Sequence, residues 1–263
     1  MRNTIFPVYV VMDLSESMSW AVSATDTKKR IEVAKEIIPT LLKSMKNDAS
    51  TAETVRVRVL GFNQGVKLTT DFLDYYDLND WYEKEKNNLV SNCQYQTWYG
   101  SAFKKLGEFI NEDIASIEKQ GQSYYRPLVY FLTDGIPEGE DDAARENEYS
   151  KLVHNRDSHR NPVILCVGIG EAGMSVLKKY GASRYKMPNN EYRSGNTHMT
   201  FVIRKGVKTG EGLEKLNMSV IQTIRNSLSQ RLTSGSSTKL EPALPDGVED
   251  ELARWFQKAS GGV

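Results

Sequence analysis

The chain has 263 residues, with 34 basic against 34 acidic side chains and a formal net charge of zero. That length suits one large α/β domain with a substantial core. Neutrality argues against a general binder of nucleic acid or of an anionic membrane, since both need a basic excess.

Two cysteines, Cys93 and Cys166, give no disulfide framework, and Cys166 inside the apolar run Val163 to Val167 reads as a small buried hydrophobe. No apolar stretch approaches the ~18 residues of a membrane span. Met1 to Thr4 leads directly into a strand-like segment, without the pattern of a signal peptide. The expectation is a cytoplasmic protein in which the Asn217-Met218-Ser219 sequon carries little meaning.

In chain order, Ile5 to Met12 is a near-continuous apolar run ending at Asp13, the pattern of a parallel strand covered on both faces. Thr27 to Lys46 predicts a helix through Ile31, Ala34, Ile37, Ile38, Leu41, Leu42 and Met45, with Pro39 as a kink or boundary. Thr54 to Phe62 alternates Val55, Val57 and Val59 with Arg56 and Arg58, predicting a half-exposed strand. Val66 to Thr70 returns across the Asn63-Gln64-Gly65 turn. Helices follow at Asp80 to Leu89 and Ser101 to Ile117, then an apolar strand at Leu128 to Leu132.

Beyond Thr133-Asp134-Gly135, an acidic loop leads to a helix at Ala143 to Val153 and a buried strand at Pro162 to Val167. A short helix at Met174 to Tyr180, an edge strand at Arg184 to Met187, a strand at Met199 to Arg204 and a helix at Leu213 to Leu228 complete a domain over residues 1–232. Residues 233–247 read as a Ser/Gly/Pro-rich linker. Residues 248–263 read as an amphipathic tail helix, introduced by a capping box from Asp246 to Glu249 and carrying Trp255 and Phe256. Strands alternating with helices call for a mostly parallel sheet with helices on both faces.

Three oxygen-rich clusters stand out. Asp13-Leu14-Ser15-Glu16-Ser17 follows the first strand, Thr97 precedes a helix, and Thr133-Asp134-Gly135 follows another buried strand. Each alone reads as ordinary turn or cap chemistry. Together, two carboxylates and three hydroxyls gather at the edge where open α/β sheets place ligands. An all-oxygen set suits a hard cation, Mg²⁺ first, with Mn²⁺ or Ca²⁺ as alternatives. Two aspartates neutralise its charge, while neutral hydroxyls leave it electrophilic toward a carboxylate from outside.

The order Asp-x-Ser-x-Ser, then Thr, then Asp resembles the metal-ion-dependent adhesion site of von Willebrand factor A-type domains. Asp13, Ser15, Ser17, Thr97 and Asp134 match all five motif positions, over a resemblance running from about Thr4 to Leu228. It implies a three-layer α/β fold with an open six-stranded sheet of order 3-2-1-4-5-6 and one antiparallel edge strand. It also implies that the serines, and often the threonine, touch the metal, whereas the aspartates act through water. Val8 to Asp13, Pro127 to Gly135 and Val167 to Gly170 resemble the bacterial TerY-like, tellurite-resistance-associated branch. That branch is typically intracellular and accompanies a protein kinase and a metal-dependent protein phosphatase. Glu16 departs from the frequent glycine and adds charge beside the metal.

The reading is therefore a non-enzymatic module that binds a protein partner's Asp or Glu through a divalent cation. A phosphohydrolase using the same cation and a metal-independent scaffold are the alternatives. Gly168-Ile169-Gly170-Glu171-Ala172-Gly173 matches a dinucleotide fingerprint, but the polar surroundings of Glu191 do not supply the required second strand. His154 and His159 around Asp157 read as a solvated helix end, and Glu138 to Asp142 as a solvated acidic loop. Trp98 and Tyr99, beside Thr97, fit the core and an interface equally well.

Overall fold

In a computed structural model of the protein, residues 4–155 and 157–170 are described, with positions 177, 179, 180, 215 and 218; for Ser158 and for four strands beyond residue 181 only the backbone is described. The centre of the sheet is β1 (Thr4–Asp13), buried along nearly its whole length. It lies parallel to β2 (Val55–Phe62) on one side and, on the other, to the two-residue β4 (Ser123–Tyr124) followed by β5 (Leu128–Thr133). β3 (Val66–Thr69) pairs antiparallel with β2 and closes that edge.

On the opposite side β6 (Val163–Gly168) runs parallel to β5, and β9 (Thr200–Ile203) parallel to β6. Numbered as the six strands expected from the sequence, β3-β2-β1-β5-β6-β9 is the order 3-2-1-4-5-6. Beyond it, β10 (Val248–Asp250) adds antiparallel to β9. The expected tail helix therefore does not begin at Val248. Backbone pairing along the open edge of β9 overrides the local capping signal there.

Alternation along β1 sends side chains to two cores. Phe6, Val8, Val10 and Met12 meet Ile31, Ile38, Leu41 and Leu78 from α1 (Arg30–Ala34), α2 (Ile37–Lys46) and α4 (Tyr75–Glu85). The short α3 (Ala49–Thr54) and α5 (Asn88–Ser91) complete that layer. Tyr9 and Val11 face Phe103, Leu106, Ile110 and Leu152 from α6 (Tyr99–Lys119) and α7 (Asp142–Val153). This is the three-layer arrangement that the alternating pattern calls for.

The single helix expected over Thr27 to Lys46 is two helices, because Pro39 has no N–H for the carbonyl of Lys35 and its ring crowds that turn. The chain breaks at Lys35–Glu36, and Ile38 N–H bonds the Lys35 carbonyl at 3.1 Å instead. β2 is not half-exposed: Arg58 is buried because Asp113 takes its charge. α4 begins earlier than expected, at an Asp74 cap that accepts from Tyr76 N–H at 2.9 Å. β7 (Ala182–Lys186) is no edge of the main sheet; it pairs with β8 (Tyr192–His198) in a separate two-stranded sheet. The Met174–Tyr180 and Leu213–Leu228 helices, the 233–247 linker and residues 251–263 fall wholly or mostly outside the described residues.

Among the described residues no helix is long and apolar enough to cross a membrane.

Candidate metal centre

Adjacent parallel strands end at the same edge, so the side chains that follow β1 and β5 must meet. Asp13 is the last residue of β1, and Asp134 follows Thr133 at the end of β5. Asp13 Oδ1 accepts from Ser15 N–H at 2.8 Å, and its Oδ2 accepts from the Thr133 hydroxyl at 2.6 Å. Ser15 Oγ lies 3.2 Å from Ser17 Oγ, and Ser17 Oγ donates to Asp134 Oδ1 at 2.9 Å. Ser17 is brought there by a 3-10 turn over Glu16–Ser19. Four of the five expected residues thus share one hydrogen-bond chain.

Thr97 reaches the same loop cluster through its backbone. Gln94 N–H bonds the Leu14 carbonyl at 2.9 Å, Glu16 N–H bonds that of Tyr95 at 3.0 Å, and Glu138 N–H bonds that of Thr97 itself at 3.0 Å. Its side chain is buried, yet among the described residues its hydroxyl makes no hydrogen bond and does not join the other four. Thr97 is not the cap of α6 either. The Glu140 carboxylate is, accepting from Tyr99 N–H at 2.9 Å and Gly100 N–H at 2.8 Å while Arg145 braces it at 3.5 Å. The acidic loop is therefore not simply solvated: one of its carboxylates fixes the start of the helix that follows Thr97.

Electrostatics set the two aspartates apart. Asp13 is fully buried, and burial pushes its carboxyl up to about 7; the charge on Asp134 pushes the same way, and hydrogen bonds from Thr133 and Ser15 oppose it. Asp134 is also buried, but one oxygen is ion-paired with Arg30 Nη1. The Tyr99 hydroxyl closes the floor, 3.0 Å from that of Thr133 and donating to the Gly135 carbonyl at 2.7 Å.

These oxygens fit a hard cation. Octahedral Mg²⁺ at ~2.1 Å from its ligands sets neighbouring donors about 3.0 Å apart. The Ser15–Ser17 and Ser17–Asp134 separations, 3.2 and 2.9 Å, are of that size. The fit rests on hydroxyls, since among the described residues no three His, Cys, Asp or Glu side chains are grouped to hold a metal. That also bears on His154, His159 and Asp157, where Asp157 instead accepts from His159 N–H at 3.0 Å and pairs with Arg160 at 3.3 Å.

Of the two readings open for Trp98 and Tyr99, the core is the one observed for Tyr99. Tyr99 is wholly buried and Trp98 is mostly covered, its Nε1 buried without a partner among the described residues. The exposed ones are Trp20 (57 %), Tyr95 (59 %) and, as the apolar member of the third loop, Ile136 (52 %). Each of the three loops that build the site therefore offers one large apolar side chain to solvent. No periodic signal marks them, because they lie in turns. Arg30 was likewise missed, since its partner Asp134 is 104 positions away, and the acidic loop and Tyr99 were noticed without the contacts that give Glu140 and Tyr99 their roles. Thr133 alone carried a signal, as the residue before Asp134 at a strand end.

Residues 8–136 match the family model of the von Willebrand factor type A domain. Among solved structures, the fold is similar to that of proximal thread matrix protein 1 from the mussel byssus, at 17 % identity and a TM-score of 0.53, covering 84 % of this chain and 48 % of that one. It is also similar to a von Willebrand factor type A structure from Catenulispora acidiphila, at 14 % identity and a TM-score of 0.50, covering 82 % of this chain and 42 % of that one. The chain thus spans less than half the length of these two structures, and at such identity the likeness concerns the fold. No curated protein matches the sequence.

Proposed function

We propose, from the match of residues 8–136 to the von Willebrand factor type A domain model, that the chain carries a domain of that type and is a metal-dependent protein-interaction module. Asp13, Ser15, Ser17 and Asp134 would hold the cation, with Thr97, whose hydroxyl stands outside their hydrogen-bond chain, as the fifth oxygen from the neighbouring loop. When bound, the cation supplies an electrophilic position for an Asp or Glu carboxylate of a partner. The chain's own part is to keep the donors in place. Thr133 and the Ser15 amide orient Asp13, Glu140 anchors the helix behind Thr97, and Trp20, Tyr95 and Ile136 form an apolar rim for the partner. Such exposed aromatic positions around a polar centre suit an interface.

The observation that carries the reading is the pair of oxygen–oxygen separations, 3.2 and 2.9 Å, between side chains supplied by two strand ends. The TerY-like motifs further suggest a cytoplasmic scaffold beside a protein kinase and a metal-dependent phosphatase. We read the chain as a binder, not an enzyme. Isothermal titration with Mg²⁺ and Mn²⁺ tests the metal step: binding is expected in the wild type and lost in Asp13→Ala and Asp134→Ala. Absence of binding, or binding unchanged in both variants, rejects it. Turnover of a phosphoester that disappears in Asp134→Ala would instead favour a phosphohydrolase.

A further inference from the structure

We propose that Arg30 competes with the divalent cation for Asp134, so that loading the site releases its guanidinium toward a pocket beside Trp20. The proposal rests on the metal reading above and adds to it a determinant of affinity outside the five donor residues.

Asp134 is 1 % exposed, and a carboxylate at such depth needs a compensating cation. One of its oxygens accepts from Ser17 and the other from Arg30 Nη1. Arg30 thus already occupies one side of a residue that the metal needs. Both cations draw on the same carboxylate, so each must weaken the other; the coupling is reciprocal by linkage.

The hold on Arg30 is incomplete. Its Nε is buried and has no hydrogen-bond partner among the described residues. An unsatisfied buried donor costs free energy in the paired state and so shifts the balance toward leaving it. Arg30 begins α1, where its own N–H is fixed to the Trp20 carbonyl at 3.0 Å, so only the side chain needs to move.

There is also somewhere to go. A pocket of about 470 Å³ is lined by Trp20, Ala21, Val22, Ser23, Ala24 and Arg30 itself. The guanidinium carbon already lies 5.8 Å from the centre of the exposed Trp20 ring, a cation–π partner for the released group. Gly170 preserves clearance at the Arg30 Nε. Its φ of +92° favours glycine, and a Cβ there would fall 3.0 Å from Arg30 Nε. The glycine that the dinucleotide pattern brought to notice therefore has a different use: it makes room for the arginine.

The test is isothermal titration of Mg²⁺ and Mn²⁺ into the wild type, Arg30→Gln and Arg30→Lys. Removing the competing charge should tighten binding about ten-fold in Arg30→Gln, within the usual range of coupling between ligands that share a partner. Arg30→Lys, which keeps the charge, should stay near the wild type. Equal or weaker metal binding in Arg30→Gln overturns the proposal and leaves the metal reading standing. So does an Arg30→Lys variant that binds as tightly as Arg30→Gln, since charge would then be irrelevant. If neither the wild type nor Arg30→Gln binds metal, both ideas fall. A readout that needs no folded variant is the side-chain Nε–H resonance of Arg30 in the wild type. It should shift on addition of Mg²⁺; an unmoved resonance under conditions where titration shows binding overturns the release.

Discussion

Two buried Arg–Asp pairs lie among the described residues, and they are built to different ends. Arg58 on β2 and Asp113 on α6 meet at 2.9 and 2.6 Å through Nε and Nη2, while Nη1 donates to the Thr70 carbonyl at 2.7 Å. Tyr9 adds a hydroxyl to Asp113 at 3.1 Å, and the guanidinium lies 4.3 Å from the ring centre of Phe109. All three nitrogens of that arginine have partners. Arg30 and Asp134, at the sheet edge, share one contact and leave Nε without a partner among the described residues. A closed network clamps a helix to a sheet; an open one leaves room for exchange. The difference lies in the satisfaction of donors, because burial is similar, with side chains 10 % and 6 % exposed in the first pair and 15 % and 1 % in the second.

The sharpest way to break that comparison is to cut the closed pair. Arg58→Ala leaves the Asp113 carboxylate buried without its cation, a change that costs about 3–5 kcal/mol. Urea unfolding of the chain should show that loss. Replacing both partners by apolar residues, as in Arg58→Met with Asp113→Leu, should recover most of it. If Arg58→Ala costs under about 1 kcal/mol, the network does not clamp the helix to the sheet.

A second prediction concerns Asp13, which in contrast to Asp113 has no cation of its own. Burial raises its carboxyl from 3.8 to about 7 in the folded chain. Between those values the native state holds a proton that the unfolded chain has lost, so stability falls as pH rises through the window and remains low above it. With chelator present, the chain should be more stable near pH 5 than near pH 8. The upper bound is about 4 kcal/mol, since each pH unit across the window contributes about 1.4 kcal/mol. Asp13→Asn should flatten that slope. Metal binding should reverse its sense, because the cation needs the ionised form. An unchanged pH profile in Asp13→Asn would show that the buried acid does not control it.

The strand order was readable because each buried strand announces itself as an apolar run: Val8 to Met12, Leu128 to Leu132 and Val163 to Val167 contain no charge to misplace. The donor residues were readable because they sit directly after those runs. What escaped was everything settled by a distant partner. Arg58 looks like a solvent-facing residue of an alternating strand until Asp113, 55 positions away, takes its charge. Tyr99 stands open between core and interface until its ring is seen packed 5.0 Å from Phe131. Val248 looks like the first turn of a helix until β9 offers it an edge. In each case tertiary pairing outweighs a local preference of about 1 kcal/mol or less.

The smallest effect tests whether the open region keeps a strained residue for contact and not for stability. Tyr95 holds a φ of +65°, the one positive value outside glycine among the described residues, and its ring is exposed. The conformation lets its carbonyl accept from Glu16 N–H at 3.0 Å, which ties the middle loop to the metal loop. A bulky side chain in this region costs about 1 kcal/mol that glycine avoids. An exposed ring returns little of that through burial. Tyr95→Gly should therefore leave unfolding free energy unchanged or raise it by up to about 1 kcal/mol. Acidic peptides selected for Mg²⁺-dependent binding to the wild type should nevertheless lose affinity for the variant, since the rim loses one of its three apolar contacts. A clear loss of stability with peptide binding intact would reverse the assignment, making the tyrosine a structural residue of the loop and not a contact for a partner.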